Sequence, residues 1–248
     1  MASLVPPITI KEPQIGRGGG DVQPPVRDGG GESGGGGGSP DYEGRLRRAR
    51  LGLAVLVVPI TMLFVAFTSA YIVRQGLPTF DERTGKYVTD WLQVNLPVAG
   101  LLLNTLLLLM SSLTVELARR QLMRDVVLAP AGSIPGVSLG RQRNFPWLAA
   151  TVVLGIGFLM GQWLVWQELG ARGFYMATSP SSSFFYLLTA AHGIHLAGGI
   201  LVMLYAVIIS LLRRPVETRC IVVDITAWYW HFMAVLWIYI FALLYFAR

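Results

Sequence analysis

The chain has little of what self-contained soluble enzymes use. It holds one cysteine, Cys220, in 248 residues, which excludes an intramolecular disulfide and a thiolate metal cluster. Cys220 is expected in a short polar loop, as an ordinary thiol. Histidine is scarce as well, with only His192, His195 and His231 present. Charged residues make up 14% of the chain, and long stretches carry none. No nucleophile–base pair, paired carboxylate or metal-ligand cluster stands out, so the chain is not expected to catalyse a reaction alone. The glycines near the N-terminus are not a phosphate loop, because no Gly-Lys-Ser/Thr ending follows them. No repeat with a period of about 20 to 50 residues is present, which excludes a solenoid.

What the chain does have is apolar length. Hydrophobic residues make up 53%, and charge is absent from Leu51–Val73, from Trp91–Val115 and from Ser181–Leu212. Five membrane spans are expected, at about 51–73, 91–115, 145–167, 184–212 and 225–246. Each meets the ~20 residues a helix needs to cross a hydrocarbon core. The fold class is therefore an all-α membrane protein with five transmembrane helices. The charge-free stretch around the fourth span is longer than a crossing needs, so that helix should tilt or project. The second should continue beyond the membrane through Glu116–Asp125, ended by Pro130, Gly132, Pro135 and Gly136. Pro59 and Pro97 should kink the first and second spans. The first span is too long and too far along the chain to read as a signal peptide. Residues 1–44, rich in glycine and proline, read as a disordered cytoplasmic tail, and residues 45–248 as the membrane domain.

The net charge of +6 is not a nucleic-acid signature, because the basic residues flank the spans. From Arg45 onward, twelve lie before span one, between spans two and three and between spans four and five, against five on the alternate side. By the positive-inside rule, the N-terminus is cytoplasmic and the C-terminus lies outside.

Ionisable groups at membrane depth usually face protein, water or a cofactor, so the histidines are the first functional candidates. His192 and His195, three residues apart, should share a helix face with Thr189 and Gly199. His231 lies in Trp228-Tyr229-Trp230-His231-Phe232. Two chemistries stay open. Haem held by His231 with His192 or His195 would make a small b-type cytochrome. Alternatively, neutral imidazoles contact neighbouring helices or a lipid phosphate. Gly157 and Gly161 form a GxxxG for close helix packing, with Gly193, Gly198 and Gly199 serving the same end in span four. Gln162, Trp163 and Trp166 provide a polar handle and an aromatic belt. The polar side chains of span two, Asn104, Thr105, Ser111, Ser112 and Thr114, are expected in interhelical hydrogen bonds. Asp224, sharing a face with Trp228, and Glu116 are candidates for proton uptake at the cytoplasmic side. A transporter is disfavoured by the absence of intramembrane charge and of inverted-repeat symmetry.

Four patches of the chain resemble subunit III of the haem–copper terminal oxidases of the cytochrome c oxidase type. They are Ala70-Tyr71; Leu96-Pro97 with Leu103-Asn104-Thr105 and Ser111-Ser112; Ser183-Phe184-Phe185-Tyr186 with Thr189-Ala190-Ala191-His192-Gly193-Ile194-His195; and Trp228-Tyr229-Trp230-His231-Phe232. The likeness is to the five-helix bacterial form, which lacks the first two of seven helices. It implies an accessory core subunit of a proton-pumping oxidase in a bacterial plasma membrane, without haem or copper of its own. Subunits I and II would be its partners and would carry those cofactors. Phospholipids would sit in a cleft between helix groups, held by residues such as His192, His195, Trp228, Trp230, His231 and Gln162. Quinol oxidases have closely similar third subunits. Two family carboxylates are absent, their places falling at Pro59-Ile60 and Ala234, whereas Asp224 matches the family's acid upstream of the Trp-Tyr-Trp-His run.

Overall fold

A computed structural model describes residues 40–83, 85–88, 91, 96–128, 145–176, 178–212 and 216–246. Residues 1–39, most of the tail expected to be disordered, and the expected stop signals after α2 lie outside them. The described residues form five helices: α1 (Pro40–Gly76), α2 (Val98–Leu128), α3 (Phe145–Ala171), α4 (Pro180–Leu211) and α5 (Val216–Phe246). All five are long and apolar enough to cross a membrane. A short antiparallel hairpin, β1 (Thr79–Asp81) with β2 (Lys86–Val88), follows α1, with Phe80 opposite Tyr87 and a turn that uses Gly85 at a φ of 62°.

Helices α2, α3, α4 and α5 pack as a closed ring of neighbours, and α1 lies outside it against α5 and α4. Only 11% of α1's most apolar stretch is buried against the protein, compared with 39% for α3 and α5. Most of α1 therefore faces lipid or another chain.

Several helix boundaries differ from the sequence reading. Pro97 starts α2 instead of kinking it: the Val98 amide donates to the Leu96 carbonyl at 2.8 Å and the helix follows. Proline disfavours helical geometry in the residue before it, while its own missing N–H costs nothing in a first turn. Trp91, expected inside span two, instead packs edge-on against Tyr71 of α1, with ring centroids 5.1 Å apart. Helix α5 begins at Val216, so Cys220 lies in a helix and is buried, not in a loop. Helix α4 starts at Pro180, four residues before the expected span. Ser179 caps it, Ser182 reciprocates, and Pro180 occupies the first turn.

Lipid tails are as apolar as leucine, so helix association in a membrane depends on close packing and interhelical hydrogen bonds. All five polar side chains named in α2 reach another helix. Asn104 donates to Gln162 at 3.2 Å and Thr105 accepts from Trp237 at 3.0 Å. Ser111 accepts from Trp230 at 2.9 Å, Thr114 lies 2.8 Å from the Thr151 hydroxyl, and Ser112 lies 2.6 Å from His231 Nδ1. The close-packing glycines are only partly those expected. A Cβ on Gly155 would lie 2.9 Å from Trp230, one on Gly199 would lie 2.9 Å from Tyr229, and one on Gly161 would run into the Asn104 amide. Gly157 and Gly198 face open space, and Gly193 makes only ordinary contact.

Candidate functional site

The seam between α1 and α5 opens into a groove of about 550 Å³, lined by Arg50, Leu53, Ala54 and Val57 on one side and Trp228, His231, Phe232 and Val235 on the other. Its walls are apolar, and its polar groups are Arg50 and His231. A ladder of charge behind it fixes those two groups. Arg50 donates through Nε and Nη2 to Asp224 Oδ2 at 3.2 and 3.0 Å. Arg119 of α2 donates to the other oxygen, Oδ1, at 3.0 Å. Asp224 is fully buried, and two guanidiniums on its two oxygens offset the cost of desolvating the charge.

Arg119 also donates to Glu116, at 2.8 and 3.1 Å, and Arg120 adds a third bond to that carboxylate at 2.8 Å. His231 closes the ladder, with Nε2 3.6 Å from Glu116 Oε2 and Nδ1 2.6 Å from the Ser112 hydroxyl. Arg50, Asp224, Arg119, Glu116, His231 and Ser112 thus connect α1, α2 and α5. Three arginines face two carboxylates, which leaves excess positive charge at this end of the groove. Arg45 and Arg48 add to it from a neighbouring hollow of about 290 Å³ on the same seam, lined also by Thr218, Ile221 and Val222.

The candidates read from the sequence fall in three places. Asp224, Glu116, His231 and Trp228 belong to the ladder and groove; Trp228 is 55% exposed. Trp230, next along, points inward and is fully buried against Gly155, Gly199 and Ser111. His192 and His195 do not act as one face. His192 is buried between Phe158 and Trp237, at centroid distances of 5.7 and 5.1 Å. His195 turns toward Phe64 of α1 at 5.9 Å, with Nδ1 2.7 Å from the Ala191 carbonyl. Gln162 is buried beside Asn104.

A two-histidine haem needs rings presented to one another across helices, and these three imidazoles lie against different neighbours: His192 between Phe158 and Trp237, His195 by Phe64 and the Ala191 carbonyl, and His231 by Ser112 and Glu116. His231 has both nitrogens directed at α2. Among the described residues, no group of three or more His, Cys, Asp or Glu side chains could hold a metal ion. Sequence reasoning missed Arg50 and Arg119 as partners of Asp224, although it expected Ser112 in an interhelical hydrogen bond. The signal was present, in that each arginine lies within one helical turn of the end of an uncharged span, where a buried Asp224 needs a counter-charge.

A sequence model of the cytochrome c oxidase subunit III family matches residues 45–248. Among similar proteins is a "probable cytochrome c oxidase subunit 3" of Mycobacterium tuberculosis, 28% identical over 144 residues, 58% of this chain and 64% of that protein. The match thus spans just under two thirds of that relative's length. A protein of the same description from Nocardia farcinica is 25% identical over 75% of this chain and 82% of its own. The "cytochrome c oxidase subunit 3" of Thermostichus vulcanus is 29% identical over 79% of this chain and 85% of its own. The Trp-Tyr-Trp-His-Phe run sits on the groove and ladder of α5, and the family match extends over all five helices: the chain belongs to the cytochrome c oxidase subunit III family.

Proposed function

We propose that the chain is an accessory subunit of a proton-pumping haem–copper oxidase in a bacterial plasma membrane, packed against subunits I and II, which carry the haem and copper. The arginine-rich ends of the spans are cytoplasmic and the C-terminus is periplasmic, following the basic-residue asymmetry. The subunit holds a phospholipid in the α1–α5 groove. An acyl chain lies along Leu53, Val57, Phe232 and Val235, and the phosphate meets Arg50, with the His231 ring forming part of the wall and Trp228 at the rim.

The observation that carries this reading is the groove itself: apolar along its length and positively charged at one end, where a buried carboxylate holds the arginine in place. That is the shape and polarity of a lipid, and cationic side chains at membrane interfaces are suited to anionic headgroups. Glu116 and Asp224 are the acids available for proton uptake. Glu116 is the better placed, because its side chain is 20% exposed and contacts His231, whereas Asp224 is fully enclosed.

The test is to purify the tagged chain from its native membrane in mild detergent and measure bound lipid and haem together. Arg50→Ala and His231→Leu are expected to lower the retained phospholipid while haem per complex stays constant. Unchanged lipid in both variants, or a chain that purifies stably alone, contradicts the proposal.

A further inference from the structure

Two polar side chains at the centre of the four-helix ring have atoms that the protein does not satisfy. His192 is fully buried, and neither ring nitrogen has a hydrogen-bond partner among the described residues; nor does Nε2 of Gln162, which is 3% exposed. Buried polar groups left unpaired are costly, and more so in a membrane interior.

Neighbouring contacts bring the two side chains to one level. Helices α3 and α4 run antiparallel and share several contacts. Phe158 packs on His192, and a Cβ on Gly193 would touch Leu159 at 3.9 Å. Trp166 donates to Thr189 at 3.1 Å and packs on Tyr186 at 5.9 Å. Gln162 lies one helical turn from both Phe158 and Trp166, so its position on α3 is level with the turn of α4 that runs from Thr189 to His192. The Gln162 carbonyl oxygen accepts from Asn104, which leaves the amide NH₂ as the end without a partner among the described residues.

We infer that a water molecule is bound between the Gln162 amide and the His192 ring, joining α3 to α4 at the middle of the bundle. The water accepts from Gln162 Nε2 and donates to the unprotonated ring nitrogen of a neutral imidazole. That gives it two of the two to four partners that buried waters make. The other ring nitrogen carries the proton and is left among aromatic walls, where Phe158 and Trp237 offer only weak N–H···π contact. With Asn104 on α2, the bridge makes a polar line across three helices: Asn104, Gln162, water and His192.

The test uses the full chain in its native assembly. A high-resolution density map of the wild type is expected to show one peak within hydrogen-bond distance of both Gln162 Nε2 and a His192 nitrogen. A dry site, or a direct Gln162–His192 bond, overturns the inference. Thermal unfolding of His192→Phe, Gln162→Met and the double variant supplies an independent arm. A shared water makes the losses non-additive, so each single change lowers the midpoint and the double variant falls no further than the worse single. Two unrelated unsatisfied groups give the opposite, in which replacing each with an apolar residue raises the midpoint additively. If a variant fails to assemble, the wild-type map still decides.

Discussion

Asp224 accepts from two arginines on two different helices, and this sets what a substitution there does. Asp224→Asn leaves the shape but removes the charge that Arg50 and Arg119 share. Breaking one side of a buried ion pair typically costs about 3 kcal/mol, so the variant is expected to lose α1 docking and assembly with partner subunits. Limited proteolysis of the membrane-bound chain and its yield in the complex measure this. Normal assembly with only a modest slowing of proton uptake would instead make Asp224 a proton carrier. Glu116→Gln is the complementary case. The amide oxygen can still accept from Arg119 Nη2 and Arg120 Nε, which both meet Oε1, and only the bond from Arg119 Nε is lost, so assembly should largely hold while proton uptake by the complex slows. Unchanged uptake kinetics would remove Glu116 from the candidates. The charged residues themselves were visible in the sequence. Their pairing was not, because Arg50, Asp224 and Arg119 lie on three different helices and no local pattern links them.

Helix contacts in this chain are built on particular small residues, and the sequence spacing misidentified one of them. Gly157 matches the GxxxG pattern yet faces open space, whereas Gly155, two residues earlier, accommodates the Trp230 ring. Gly155→Ala is therefore expected to destabilise the bundle by about 1–3 kcal/mol through overpacking, and Gly157→Ala to leave its detergent resistance unchanged. Equal effects of the two would show that the α3–α5 contact is wrongly assigned. The number and order of helices were legible because each span exceeds the ~20 apolar residues that only a membrane crossing requires. The ends of those helices were less so. Charge-free length counts Trp91–Leu96 as span, but Pro97 sets the start of α2, and Val216–Asp224 are helical despite their charges. The β1–β2 hairpin was not legible, because strands of three residues carry too little alternation, although Phe80 and Tyr87 flank a short polar segment containing Gly85.

At the level of the molecule, a tight ring of α2–α5 carries a loosely attached α1, pinned at one end by the Arg50–Asp224 pair. Near α1's other end, a Tyr239 hydroxyl donates to Thr68 at 3.0 Å. Such a helix leaves grooves along its seam, and the proposed lipid contact rests on them. Deleting residues 1–39 should not impair membrane insertion, measured by fractionation and carbonate extraction, because the apolar spans lie downstream; failed insertion would give the tail a role in targeting. The family was readable from the Trp-Tyr-Trp-His-Phe run and the Thr189–His195 segment. Which of those side chains face the groove was not, since Trp228 and Trp230 point opposite ways on one helix. The most direct test is the absorption spectrum of this chain after separation from the subunits that copurify with it. The Soret band should remain wholly with the partner fraction, and this chain should carry no iron or copper. A stoichiometric Soret band retained on this polypeptide, lost on His231→Leu, would contradict the accessory role.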